Sequence, residues 1–290
     1  MKKFGRSLKY VYLGFMLLFL YLPIIYLIVF SFNDFTSGSG RRISYSNLGR
    51  WNGCTLSNYS TLFKGDAGSS LLLTLEIAFA SSIIATVIGT AAAIGINSMR
   101  KRSRNIVVSV SQLPMVNPDL VTGITFMMMF AFVNGLLSKM GMAQINDFVK
   151  LLIAHISFSI PYVIFSVLPR LKQSSDLLYE AALDLGCSPI QALWKAVIPD
   201  IMPGISSGFI MALTMSLDDF VVSYFVADRI QPLSVYIYSN TAHGAKGVNP
   251  ALATIIFIPL VTLLLVVNLR RLAKEREYEI QNKKVKMKQN

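Results

Sequence analysis

The sequence predicts an all-α protein that crosses a membrane several times. Of its 290 residues, 53% are hydrophobic and only 14% are charged, whereas soluble domains usually carry about a quarter charged residues. The apolar residues fall in runs of about 20 or more, the length that a helix needs to cross a bilayer. Because backbone groups in lipid must bond within the protein, and because these runs are too long for barrel strands, we expect helical spans.

Six hydrophobic runs define the predicted spans. They are residues 10–32, 71–96, 106–133, 148–168, 201–222 and 251–269. The first run follows a basic segment, as in a signal peptide. Its apolar stretch is too long for one and no small-residue cleavage site follows, so we expect an uncleaved anchor. The second span contains Glu76, and the third contains Pro114, Pro118 and Asp119 near its start.

The positive charges indicate how the chain is oriented. With the N terminus inside, 19 of the 27 Lys and Arg residues fall in inner segments. The remaining eight, in outer segments, are Arg41, Arg42, Arg50, Lys64, Lys139, Lys150, Arg229 and Lys246. Since basic residues concentrate on the cytoplasmic side, both termini are predicted to be cytoplasmic. The net charge of +12 is then an orientation signal, and no basic face is left for nucleic acid.

Three regions follow along the chain. Residues 1–68 form the predicted anchor helix and an outer loop, residues 69–269 form the transmembrane core, and residues 270–290 form a basic cytoplasmic tail. The tail either lies along anionic lipid headgroups or is solvated. The core includes an unusually structured cytoplasmic loop at residues 170–203.

The sequence lacks several motifs that are typical of nucleotide-binding proteins and hydrolases. It contains no GxxxxGK[ST] phosphate loop, no HExxH and no GxSxG motif. Cys54 and Cys187 do not form a metal-ligand spacing. The chain is therefore not expected to hydrolyse a nucleotide or to hold a cofactor or metal. The remaining classes are a transporter subunit, a secondary carrier, a channel and a membrane scaffold.

The loop at residues 170–203 predicts two short helices. Residues 174–176 supply a cap for the first helix, and Gly186 ends it at a left-handed position. The second helix starts with Pro189 at its first position, and Pro199 is predicted to stop it. From these residues alone, a hairpin that docks to a cytoplasmic partner and one that packs on its own bundle both remain open.

The same loop resembles the EAA motif of the permease subunits of ABC importers. The matching residues are Glu180, Ala181, Ala182, Gly186 and, thirteen residues on, Pro199. The family has Ile and Leu shortly before the final Pro, where this chain has Ala196 and Ile198. The resemblance implies that the loop is a coupling helix, with Glu180, Ala181, Ala182 and Gly186 seated in a cleft of an ATPase subunit.

Further stretches are similar to the permeases of spermidine/putrescine importers. They are residues 118–121, 155–158, 216–222, 232–239 and 249–254, and the resemblance covers about residues 70–267. It implies the type I ABC-importer permease fold and polyamine transport by alternating access. The implied partners are two ATPase subunits that bind ATP and Mg²⁺, a second homologous permease and an extracytoplasmic solute-binding protein. Related permeases for other small solutes share several of these stretches.

Carboxylates near span ends are candidates for the substrate path, because ionisable groups within spans usually face a bundle interior or a water-filled path. A polyamine requires carboxylates for ion pairing and aromatic faces for cation–π contact. The candidate path residues are Asp218, Asp219, Asp119, Tyr224 and Tyr236, and Phe220 and Tyr238 are nearby in sequence. Adjacent helical residues point about 100° apart, so only one of the two consecutive aspartates is expected to face the path.

Each acidic residue also has a structural alternative. Asp218 and Asp219 would bond to a helix end or loop, Asp119 would cap a helix after a proline break, and Glu76 would snorkel or pair between helices. His155 is expected to be a buried, hydrogen-bonded histidine. The sequence leaves each of these alternatives open.

Two rows of small residues predict close helix packing. They are Ala85, Gly89 and Ala93 in the second span, and Gly204, Gly208 and Ala212 in the fifth. The packing partner of the fifth-span row is either another helix of this chain or a second permease.

Two other functions compete with the polyamine permease. The first is a permease for another small solute in the same importer class. The second is a self-contained carrier driven by an ion gradient, which would be expected to show inverted repeats or helices broken at the midplane. A membrane scaffold is a third reading, and the coupling-type loop argues against it.

Overall fold

The computed structural model describes residues 2–34, 51–62, 66–117, 119–173, 176–242, 250–255, 257–258 and 261–262. Regular structure in these ranges is helical, with an isolated β-bridge between Asn33 and Cys54. The helices are α1 (Lys2–Phe30), α2 (Ser57–Leu62), α3 (Asp66–Asn97), α4 (Lys101–Val116), α5 (Asp119–Lys139), α6 (Asp147–Gln173), α7 (Asp176–Asp184), α8 (Pro189–Ala192), a π-helical turn (Leu193–Val197), α9 (Ile198–Asp218), α10 (Val221–Val226) and α11 (Leu233–Ala242). The prediction of an all-α protein is confirmed.

Within the described part of the chain, five helical segments are long and apolar enough to cross a membrane. They are Tyr10–Phe30, Asp66–Asn97, Asp119–Lys139, Asp147–Gln173 and Pro189–Asp218. The sixth predicted span, residues 251–269, is helical where the structure describes it, at residues 250–255, 257–258 and 261–262. The rest of that span, the tail at 270–290 and the cap at 174–175 lie outside the described residues.

The chain divides into two compact units, residues 1–68 with 239–290 and residues 69–238. In the first unit, the Asn58 amide donates to the carbonyl oxygens of Ser31 (2.9 Å) and Asn33 (2.8 Å). The hydroxyls of Ser31 and Tyr59 are 2.6 Å apart. These bonds attach α2 to the end of α1. Most apolar side chains of α1 are exposed, as a lipid-facing anchor requires.

The third predicted span, residues 106–133, is wrong as a single helix. α4 ends at Val116 and α5 begins at Asp119. Between them Asn117 is extended, with φ −68° and ψ 134°. A proline disfavours the helical conformation for the residue before it, and Pro118 follows the extended Asn117. The membrane-length segment is therefore Asp119–Lys139.

The prediction that Pro199 stops the helix of the loop is also wrong. The chain runs from α8 through the π-helical turn into α9 without an extended residue. In the turn, the amide of Ile198 donates to the carbonyl of Leu193, five residues back. A proline ring clashes with the carbonyl four residues earlier, and a wider turn makes room for it.

The fifth predicted span, residues 201–222, ends too late. α9 ends at Asp218, and Asp219 is extended, with φ −67° and ψ 123°. The short helix α10 then starts at Val221. The hydrophobic run continues past the end of the helix because α10 is itself buried, with Val222 and Val226 almost inaccessible.

Helix α6 is the packing centre of the second unit. Both rows of small residues lie against it. A Cβ built on Gly89 of α3 would lie 2.7 Å from Cβ of Val163 in α6. A Cβ built on Gly208 of α9 would lie 3.2 Å from Cγ1 of the same valine. A Cβ on Gly204 would lie 2.8 Å from Cγ of Arg170. The partner of the fifth-span row is therefore a helix of the same chain.

We expect Gly89→Ala to destabilise the protein by about 1–3 kcal/mol, because the new methyl group overlaps Val163 and forces the helices apart. Gly95→Ala is the matched control in the same helix, since a Cβ there meets nothing within 4 Å and alanine favours the helix by up to about 1 kcal/mol. The detergent-solubilised variants are heated and then analysed by size-exclusion chromatography, which gives the thermal midpoint of each variant. Equal midpoints for the two variants would contradict the close approach at Gly89.

Candidate functional site

The short helix α10 lies between α5 and α6 where α9 ends. Val222 and Val226 are buried in a cluster with Leu151 and Ala154 of α6. On the other side, a Cβ on Gly123 of α5 would lie 3.0 Å from the ring of Phe225. A six-residue helix makes too few bonds of its own to be stable alone, so these neighbours fix its position.

Asp219 forms the cap of α10. Its carboxylate accepts hydrogen bonds from the backbone amides of Val222 (3.1 Å) and Ser223 (2.8 Å). Its own carbonyl accepts a bond from the hydroxyl of Ser234 (2.9 Å). The side chain is only 8% exposed. Of the two alternatives for this residue, the structure shows helix-end hydrogen bonding.

Asp218 differs from its neighbour. It is the last residue of α9 and is exposed. Asp119 and Glu76 are exposed as well, Asp119 as the first residue of α5 and Glu76 within α3. A carboxylate in the first turn favours a helix start, so the position of Asp119 agrees with the capping alternative. Among the residues that the structure describes, no group of three or more His, Cys, Asp or Glu is placed to hold a metal.

His155 is the centre of a buried polar network. Its Nδ1 is 2.6 Å from Oγ of Ser216, and its Nε2 is 3.2 Å from Oγ of Ser223. Oδ2 of Asp219 is 3.5 Å from Nε2, and Oγ of Ser81 is 3.1 Å from Oγ of Ser216. The network joins α3, α6, α9 and α10. The expectation of a buried, hydrogen-bonded histidine is confirmed.

Three aromatic rings lie together: Phe220, directly after the two aspartates, Tyr224 of α10 and Tyr238 of α11. The ring centroids of Phe220 and Tyr224 are 5.6 Å apart, those of Phe220 and Tyr238 are 5.0 Å apart, and those of Tyr224 and Tyr238 are 5.6 Å apart. Tyr224 and Tyr238 are about half exposed, at 46% and 50%. Tyr236, the other tyrosine singled out from the sequence, is half-buried on the same helix as Tyr238. We call Phe220, Tyr224 and Tyr238 the aromatic trio.

The segment at residues 176–197 forms the expected hairpin. α7 is followed by Gly186 in the left-handed region, with φ +87°. The hydroxyl of Ser188 accepts from the amide of Gln191, whose side-chain oxygen accepts from the amide of Ser188, so a capping box starts α8. Pro189 is at the first helical position, as predicted.

The hairpin presents an open surface. Glu180, Ala181 and Gly186 are exposed, and Ala182 is half-buried. Large apolar side chains are exposed beside them: Leu185 (86%), Ile190 (71%) and Trp194 (66%). A cavity of about 620 Å³ separates the hairpin from the end of α3, with Tyr179 and Glu180 on one wall and Asn97 and Ser98 on the other. The hairpin therefore exposes large apolar side chains next to the residues of the sequence motif.

An ion cluster at the start of α6 was missed from the sequence. Nζ of Lys150 is 2.8 Å from both Oδ1 of Asp147 and Oδ2 of Asp228. The second oxygen of Asp147 accepts from the backbone amide of Arg229 (2.9 Å). The Lys150 side chain is only 8% exposed, and from the sequence it had been counted only among the charges of the outer segments. The three-residue spacing of Asp147 and Lys150 signalled the local pair, and nothing in the sequence signalled Asp228.

Comparisons of the whole chain place these features in a family. Residues 85–276 match the binding-protein-dependent transport system inner membrane components. The chain is similar to the spermidine/putrescine transport system permease protein PotC of Escherichia coli K12, with 32% identity over 94% of this chain and 96% of that protein. It is also similar to the putrescine transport system permease protein PotI of the same strain, with 30% identity over 91% of both chains.

The fold has a counterpart among solved structures. It is similar to a chain in the crystal structure of a bacterial ABC transporter involved in the import of the acidic polysaccharide alginate. The TM-score is 0.65 at 20% identity, covering 94% of this chain and 98% of that chain. This likeness confirms the importer-permease fold, and the relatives confirm a non-catalytic transport subunit of the membrane. The chain therefore belongs to the family of binding-protein-dependent transport system inner membrane components.

Proposed function

We propose that the chain is a permease subunit that forms the path for polyamines in an ATP-driven importer. The observation that carries the proposal is the exposed carboxylate of Asp218 at the end of α9, two residues before Phe220 of the aromatic trio. A polyamine is a flexible chain of ammonium groups. A carboxylate pairs with one such group, and tyrosine and phenylalanine faces attract the next. The names of the similar E. coli proteins, which include spermidine and putrescine, support the same solute class.

In this proposal Asp218 and Asp219 have different roles. Asp218 faces the path, whereas Asp219 holds α10, and with it Tyr224, in place. Asp119 and Tyr236 remain candidates for later contacts along the path. His155 keeps a structural role, because both of its ring nitrogens already have partners.

The partners follow from the exposed hairpin. Glu180, Ala181, Ala182 and Gly186 contact one ATPase subunit of a pair, and the ATPase pair binds ATP and Mg²⁺, so this chain needs no cofactor. A second homologous permease completes the path. An extracytoplasmic binding protein delivers the solute, and the description of the family as binding-protein-dependent supports this partner. The charge distribution supports cytoplasmic termini and a cytoplasmic hairpin.

The continuous helical run from Pro189 to Asp218 supports a mechanism for coupling. Its 30 residues span about 45 Å at 1.5 Å per residue. The hairpin surface is at one end and Asp218 at the other. When ATP closes the ATPase pair, movement of the hairpin is transmitted along this run to the path. The cycle requires the hairpin to make different contacts in the inward-open and outward-open states.

Two alternatives differ in solute or in energy source. A self-contained ion-coupled carrier is set aside, because the family is described by its dependence on a binding protein. A permease for another small solute stays as the competing function. Uptake of labelled putrescine and spermidine, measured with and without this chain in the assembled importer, decides between the two solute classes.

We expect Asp218→Asn to weaken polyamine uptake, with a higher KM and unchanged assembly, because the amide cannot pair with an ammonium group. Loss of an exposed ion pair is worth up to about 1 kcal/mol, which corresponds to a KM increase of about fivefold. Asp200→Asn, an exposed aspartate in the first turn of the same helix, is the matched control. Uptake by the Asp218 variant equal to that of the control would contradict a path role.

Asp219→Ala is expected to lower stability by about 1–2 kcal/mol, because two amides at the start of α10 lose their acceptor. Asp219→Asn should retain most of that stability, since asparagine also caps helices. Asp218→Ala should leave the thermal midpoint of the purified protein almost unchanged. A loss of stability at Asp218 as large as that at Asp219 would show that the cap is misassigned.

Charge reversal at Glu180 should reduce solute-stimulated ATP hydrolysis while the complex still assembles. Asp200→Lys, at an exposed acidic residue of α9 outside the hairpin, is its control. Gly186→Val should act in the same way through strain, because φ is +87° and a Cβ there meets nothing within 4 Å. Gly135→Val, in equally open space without a positive φ, controls for the added side chain. Unchanged hydrolysis in both test variants would refute the coupling assignment.

A further inference from the structure

We propose that Lys150 is a positioning residue for the aromatic part of the path. Its ammonium group fixes the far end of α10 to α6, and this holds Tyr224 and Phe220 against Tyr238. The proposal rests on the function proposed above for the aromatic trio. The attachment itself is independent of which solute is carried.

The ion cluster joins two parts of the chain that are distant in sequence. Asp147 and Lys150 lie on the first turn of α6, while Asp228 and Arg229 follow the end of α10. The ammonium group bridges the carboxylates of Asp147 and Asp228 at 2.8 Å each. Asp147 also accepts from the amide of Arg229 at 2.9 Å. Two residues of α6 therefore hold the segment just after α10: Lys150 binds Asp228, and Asp147 accepts from the amide of Arg229.

Helix α10 is attached to α6 at both ends. At its start, Ser223 contacts Nε2 of His155 and Asp219 caps the helix beside the same ring. After its end, Asp228 contacts Lys150. Lys150 and His155 are five residues apart on α6, or about 7.5 Å along its axis, and the six residues of α10 extend about 9 Å. The spacing of the two attachments thus matches the length of the helix that they hold.

The three members of the cluster differ in exposure, and this difference separates their roles. The side chains of Lys150 and Asp147 are 8% and 11% exposed, while that of Asp228 is 70% exposed. A buried ammonium group without a partner is costly, so Asp147 keeps Lys150 charged and in place. Asp228 is too exposed to compensate for the burial of Lys150, and its role is to connect Lys150 to the end of α10. Asp228→Asn therefore weakens the connection while it leaves the buried pair intact.

Loss of the attachment has a defined consequence for the path. Tyr224 is near the middle of α10 and contacts both other rings of the trio. If the end of α10 is released, the spacing of the three rings changes, although none of them is mutated. Solute recognition should weaken more than the turnover of the loaded importer. A rise in KM with a nearly constant maximal rate distinguishes this positioning role from a general loss of folding.

The experiment uses the complete importer in lipid nanodiscs, where both membrane faces are open to a reagent. Four variants are compared with the parent protein: Lys150→Met, Lys150→Arg, Asp228→Asn and, as control, Lys139→Met at the exposed end of α5. All are made with Cys54 and Cys187 replaced by serine and with Ala227→Cys as the reporter. Ala227 is half-buried beside the cluster. Its rate of modification by a maleimide therefore reports release of the segment.

We expect Lys150→Met and Asp228→Asn to raise the labelling rate at position 227, and Lys150→Arg to restore it because arginine keeps the charge. Lys139→Met should behave as the parent. In proteoliposomes, KM for putrescine and spermidine should rise on the order of tenfold in Lys150→Met, as misplacement of contacting groups predicts. The maximal rate should change less than twofold.

Two results would overturn the proposal. The first is an unchanged labelling rate in Lys150→Met and Asp228→Asn, which would show that the pairing of Lys150 with Asp228 does not hold the segment. The second is faster labelling with an unchanged KM, which would show that the held segment does not serve solute recognition. If Lys150→Met fails to assemble, Asp228→Asn decides, because its buried pair is intact. If the parent carries neither polyamine, the proposed solute class fails, while labelling still decides whether Lys150 positions α10.

Discussion

A polar group inside a membrane must find its partner within the protein, because lipid offers none. In this chain α6 supplies many of those partners. Its His155 bonds to serines of α9 and α10, its Lys150 bonds to the residue two positions after α10, and its Val163 receives glycines from α3 and α9. The end of α9 and both ends of α10, and hence the candidate path, take their positions from this one helix.

Each predicted span that differs from the structure does so at a place where backbone bonding changes. The extended Asn117 before Pro118 divides the third span, Pro199 is accommodated by a π-helical turn, and Asp219 ends α9. Apolar residues resume on the far side of each of the three places, so a count of apolar residues over a span-length window passes over them. The interruption at Asp219 matters most for the proposed function, since it separates the exposed Asp218 at the end of α9 from a short helix that carries Tyr224.

Features encoded within a few residues were predictable, and features that join distant residues were not. The hairpin follows from Ser188, Pro189 and Gly186, whose preferences act within one turn. The pairing of Lys150 with Asp228 spans 78 residues, and that of His155 with Ser216 spans 61. No periodicity connects them, because each depends on how α6 meets α9 and α10. The sequence likewise marked the two consecutive aspartates, while only the structure separates a cap from an exposed carboxylate.

The π-helical turn has a consequence for the angular register of the helical run. Each helical residue turns the chain by about 100°, so a regular α-helix would place Ile190 and Gly204 only about 40° apart, on nearly the same side. One additional residue in the wide turn shifts this angle to about 140°. Gly204 then lies against α6 while Ile190 points outward, at 71% exposure. One additional residue in the wide turn therefore lets a continuous helical run turn Gly204 toward α6 and Ile190 away from it.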